Sequence, residues 1–129
     1  MRLLIVDDDK TTRKILSLYL KGKGYEVVTA ENGLDAMEKL GTENINMVVT
    51  DMNMPYMDGI ELTKTLRADP SWQSIPIIMI TTEADEDERK KAADAGVDDY
   101  LVKPANADQI SESIKKILKK IFAGGEGNV

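Results

Sequence analysis

The chain has 129 residues, 42% hydrophobic and 31% charged, with 17 bases, 23 acids and a formal net charge of −6. That is the size of one domain with a core of its own, and the acidic balance argues against nucleic-acid binding, which needs a basic surface to release phosphate counterions. Neither Cys nor His occurs, so disulfides, thiol catalysis, thiolate metal sites and imidazole acid–base chemistry are excluded.

In chain order, the first element is the apolar run Leu3–Val6, which ends on the acids Asp7, Asp8 and Asp9. Its apolar stretch is far short of a membrane span of roughly 20 residues. No cleavage site follows, so no signal peptide is read and the protein is expected in the cytoplasm without membrane insertion. "TTRKILSLYLKGKG" predicts a helix with Ile15, Leu18 and Tyr19 as its apolar positions, stopped by two glycines. Glu26–Ala30 reads as a strand, and "GLDAMEKL" as a helix carrying Leu34, Met37 and Leu40. A third strand, Met47–Thr50, runs into Asp51 and the loop "MNMPYMDG", followed by a helix with Ile60, Leu62, Thr63 and Leu66. Ile77–Ile80 is the fourth strand, ending in Thr81 and Thr82. The segment "ADEDERKKAADAG" predicts a polar helix with only alanines to bury. Tyr100–Val102 is the fifth strand, before Lys103 and Pro104. The last helix stripes Ile110, Ile114, Ile117, Leu118 and Ile121 beside four lysines. The Gly-rich tail from residue 123 to 129 is expected to be disordered.

Strands alternating with helices predict an α/β fold. Strands that are apolar throughout predict a parallel sheet covered on both faces. In such a doubly wound sheet, ligands bind beyond the carboxyl ends of the strands. Asp7, Asp8 and Asp51 should therefore meet Thr81 and Lys103 at one edge. Three carboxylates in one pocket stay ionised only if positive charge sits among them. Lys103 supplies one charge, and a hard divalent cation, most simply Mg²⁺, would supply two. The set suits phosphoryl transfer to a carboxylate nucleophile. Asp9 reads instead as the cap of the following helix, and Asp58-Gly59 as an ordinary turn.

The segments "LLIVDDD", "TDMNMPYMDG", "IMITTEA" and "YLVKP" together resemble the signatures of response-regulator receiver domains, over about residues 1–122. The resemblance implies one receiver domain, a five-stranded sheet of order 2-1-3-4-5 with five helices, and a signalling phosphoprotein rather than an enzyme. It implies Asp51 as phosphoacceptor from a sensor histidine kinase or phosphotransfer protein. It also implies Asp7, Asp8, Asp51 and the backbone carbonyl of Asn53 as the Mg²⁺ (or Mn²⁺) site, with Thr81 and Lys103 on the phosphoryl group. Tyr100 would be the switch residue coupled to Thr81, and Lys103-Pro104 a cis peptide. The face of fourth helix, fifth strand and last helix would bind a downstream protein in a pathway of chemotaxis type. Three positions depart from the chemotaxis pattern: Met52 replaces a frequent Trp, Ala105 the usual Phe, and the fourth helix begins acidic.

Other readings compete. A receiver that only drains phosphoryl groups from a kinase would share every one of these residues. A haloacid-dehalogenase-like phosphatase also uses an Asp nucleophile and Mg²⁺, but needs a second Asp where Asn53 stands. A flavodoxin-like FMN carrier needs a phosphate loop after the first strand, where this chain has acids that would repel phosphate.

Overall fold

The computed structural model describes residues 1–127, with side chains through residue 123. Strands β1 (Arg2–Val6), β2 (Glu26–Ala30), β3 (Met47–Asp51), β4 (Ile77–Thr81) and β5 (Asp99–Val102) alternate with helices α1 (Lys10–Gly22), α2 (Gly33–Thr42), α3 (Gly59–Ala68), α4 (Glu86–Ala95) and α5 (Ala107–Gly127). The strands form one parallel sheet in the order β2-β1-β3-β4-β5. The predicted architecture and strand order are both observed. The central strands are buried along nearly their whole length because helices cover both faces. α5 runs to Gly127, so it takes in the expected tail from 123 that far; residues 128 and 129 lie outside the described part.

Two apolar clusters sandwich the sheet. One joins Leu3, Ile5, Val49 and Ile80 to Leu16, Leu20, Ile110 and Ile114. The other joins Leu4, Val6, Val48 and Ile77 to Ala36, Leu40, Leu62 and Leu66. Trp72 packs at the margin of the second.

Three burial expectations are corrected. α1 buries Leu16 and Leu20, whereas Ile15, Leu18 and Tyr19 are exposed. The helix carries two apolar stripes, and the sheet accepts only one. In α2 the buried positions are Gly33, Ala36 and Leu40, with Leu34 outside and Met37 at the margin. In α5 Ile121 is exposed, because a 21-residue helix, about 31 Å long, outruns strands of about 17 Å. β2 is only half-buried because it lies at the sheet edge.

Candidate functional site

β1 and β3 are neighbours, so their carboxyl ends deliver Asp7, Asp8 and Asp51 to one place. One carboxylate oxygen from each lies within 4.8 Å of the others. Asp7 and Asp51 are buried and Asp8 is exposed. An all-oxygen, multiply anionic donor set of this kind fits a hard divalent cation. Lys103, from the end of β5, points between them, with Nζ 3.2 Å from Asp7 Oδ2 and 3.4 Å from Asp51 Oδ2.

The electrostatics follow from burial and pairing. Burial pushes the Asp51 carboxyl above its ordinary pKa and the Asp7 charge adds to this, while Lys103 opposes both. Burial draws Lys103 down, but Asp51 and Asp7 more than offset it, so its ammonium is held charged above the ordinary lysine value. One ammonium among three carboxylates leaves the cluster short of positive charge.

Local structure fixes these groups. Asp9 caps α1, accepting from the Thr12 N–H at 2.9 Å. Asp7 Oδ1 accepts from the Asp9 N–H at 2.9 Å, and the Arg13 guanidinium donates to the Asp7 carbonyl at 2.7 Å. Asp51 Oδ1 accepts from the Met52 N–H at 2.9 Å. The loop of residues 52–58 then returns to its start. Gly59 N–H donates to Met52 O at 2.8 Å, and a Cβ on Gly59 would fall 2.2 Å from the Asp51 carbonyl. Only glycine permits that approach. Asp58 heads α3 in a reciprocal capping box with Glu61, so its turn is also a helix start.

The other predicted site residues divide. Asn53 lies exposed in the 52–58 loop. Thr81 is fully buried and its hydroxyl accepts from the Glu83 N–H at 3.1 Å. Tyr100 is buried, donates its hydroxyl to the Glu83 carbonyl at 2.6 Å, and lies under the Arg89 guanidinium, 4.9 Å from the ring centroid. Thr81 and Tyr100 thus meet at the backbone of Glu83. Sequence reasoning missed this link because any residue can offer a backbone N–H and carbonyl. It also missed Arg13, whose contact with a backbone oxygen leaves no signature in residue types. Thr82 and Ala105 help line a pocket of about 410 Å³ whose wall includes Asp7, Asp51 and Lys103. Lys103-Pro104 is cis, as the resemblance implied. No described helix is long and apolar enough to cross a membrane.

Comparison with known proteins agrees with this geometry. The family model of the response regulator receiver domain matches residues 3–115. The chain is 44% identical over 120 residues to the chemotaxis protein CheY1 of Helicobacter pylori strain J99, covering 92% of this chain and 97% of that protein. It is 40% identical over 122 residues to the chemotaxis protein CheY of Pseudomonas aeruginosa, with 94% and 98% covered. Among solved structures, CheY4 of Vibrio cholerae superposes with a TM-score of 0.84 at 32% identity, covering 89% of this chain and 96% of that one. A putative response regulator from Chloroflexus aurantiacus gives 0.86 at 36% identity, with 92% and 97% covered. With its fold, its acid cluster and these relatives in agreement, the chain belongs to the response regulator receiver domain family.

Proposed function

We propose that the protein is a phosphoacceptor of a two-component pathway in which Asp51 takes a phosphoryl group from the phosphohistidine of a sensor kinase or phosphotransfer protein. The observation that carries this reading is the convergence of Asp7, Asp8 and Asp51 around Lys103. Asp7, Asp8, Asp51 and the Asn53 carbonyl would hold a magnesium or manganese ion, which supplies positive charge to the phosphoryl oxygens when bound. A carboxylate oxygen of Asp51 attacks phosphorus as the bond to the donor breaks, forming an acyl phosphate. Lys103, already drawn toward Asp51, neutralises the incoming charge. Asn53 stands where a phosphatase would need an acid, and its amide is too weakly acidic to serve as one, which favours a stored acyl phosphate over turnover.

The relatives named as chemotaxis proteins support a pathway of that class. Output follows from the Glu83 junction. The Thr81 hydroxyl leaves Glu83 to reach a phosphoryl oxygen, and Tyr100, bonded to the same residue, responds. The surface of α4, β5 and α5 is then the face offered to a downstream protein. Incubation with Mg²⁺ and acetyl phosphate tests the reading by intact-mass spectrometry. The wild-type protein gains one phosphoryl group and Asp51→Asn gains none; full phosphorylation of Asp51→Asn refutes the assignment.

A further inference from the structure

Tyr56 is strained, exposed and rigidly mounted beside the site. Its φ is +68°, a left-handed conformation that penalises a bulky side chain and that Asn or Gly adopts far more readily. It is the central residue of a three-residue turn closed by Met57 N–H donating to Pro55 O at 2.9 Å. A positive φ at that position marks the rare, strained form of the turn. Nothing local recovers the cost. The residue is 82% exposed, and among the described residues its side chain makes no hydrogen bond.

The turn is nonetheless fixed. Met54 and Met57 on either side pack against the apolar cluster beneath the sheet. The Met57 carbonyl accepts from Gly33 N–H at 3.0 Å, and Gly33 has no side chain because Met57 fills that space. Both ends of the loop meet at Asp51 and Met52, and three residues span at most about 11 Å. The Tyr56 backbone therefore stands within about 11 Å of Gly59, which abuts the Asp51 carbonyl, and its ring is exposed to solvent. A molecule as small as acetyl phosphate carries no protein surface that could bury it. A protein that brings a phosphohistidine to Asp51 covers it.

We propose that Tyr56 is a specificity-determining contact for the phosphohistidine protein, an aromatic anchor buried only during phosphotransfer. Strain kept at an exposed position beside a reactive group points to such a role, and exposed Tyr is a preferred anchor at protein interfaces. The inference rests on Asp51 being the phosphoacceptor.

The test compares two donors on the full chain: acetyl phosphate, and the phosphohistidine-bearing domain of a chemotaxis sensor kinase chosen for measurable transfer to wild type. Tyr56→Asn keeps the turn and removes the ring; Tyr56→Phe keeps ring and strain. For Tyr56→Asn, the acetyl phosphate rate stays within about twofold, while the half-saturating concentration for transfer from the kinase domain rises by about fivefold or more. Its melting temperature rises by about 3 °C as strain is relieved, which separates lost contact from lost folding. Tyr56→Phe transfers like wild type. Undiminished transfer to Tyr56→Asn, or equal slowing with both donors, overturns the proposal. If wild type fails to react with acetyl phosphate, it is the phosphoacceptor reading itself that falls.

Discussion

α3 and α4 are both ten residues long, and each follows a strand whose end reaches the site. α3 is nailed down. It buries Leu62, Thr63 and Leu66, starts with a capping box, and seats Gly59 on the Asp51 backbone. α4 buries only Ala92 and Ala95, opens with Glu86, Asp87 and Glu88, and has no base in its last turn. Each fully buried leucine is worth about 2 kcal/mol against exposure and each added methyl group of alanine under about 1 kcal/mol. The acids complement the helix dipole at the α4 N-terminus, but such surface terms are small. One helix holds Asp51 still; the other is cheap to move. A site that must keep its geometry yet pass a message needs both kinds of neighbour.

The largest expected effect tests α3. Leu62→Ala should cost about 3 kcal/mol by cavity formation, measured by urea unfolding. A loss under 1 kcal/mol, on the order of a surface change, would remove the contrast. Arg67 links the two helices' ends. Its guanidinium donates to the carbonyls of Gly96, Gln73 and Ile75 and to Asp98. Gly96 is the left-handed cap of α4, with φ +110°. Arg67→Ala should cost about 2 kcal/mol by orphaning these acceptors and should speed amide exchange most at residues 96–98. Ala92→Gly should cost about 1 kcal/mol, with faster exchange confined to α4 and α3 unaffected. Spread of that change into α3 would show the two helices opening as one unit.

The smallest effect concerns acid stability beside α4. Burial tends to raise the Asp99 carboxyl, but the Ser113 hydroxyl, the Tyr100 N–H and Lys116 outweigh it and hold its pKa below the ordinary value. Ionised Asp99 therefore stabilises the fold above about pH 4, and that contribution is lost as pH falls through its depressed pKa. Ser113→Ala should move the acid-unfolding midpoint to higher pH, as seen in melting temperatures between about pH 2 and 6. An unchanged midpoint would detach Ser113 from Asp99.

Much of this was legible in the sequence. The apolar runs that end in Asp7, Asp51, Thr81 and Lys103 gave strands, their ends and the site together, because a parallel sheet forces all strand ends to one edge. The poverty of α4 was visible as alanines among charges. The buried face of α1 was not, since Ile15-Leu18-Tyr19 and Leu16-Leu20 are both at helical spacing and only the sheet decides between them. The exposure of Leu34 and Ile121 likewise depends on where the sheet ends. The strain at Tyr56 was hidden because a tyrosine between Pro55 and Met57 carries no turn signal of its own. Glu83 acts through its own backbone atoms and Arg13 on the backbone carbonyl of Asp7, which residue types do not report.

The central claim is that charge at Asp51 moves α4 and β5 while α3 stays fixed. Amide exchange with Mg²⁺ and beryllofluoride, a phosphoryl mimic, tests it most directly. The account predicts changes concentrated in residues 81–105, including the whole of α4, with α3 unaltered. Changes confined to the loops at Asp7, Asp51 and Lys103, with residues 85–100 silent, would contradict it and leave a protein that accepts phosphoryl groups and loses them to water without signalling.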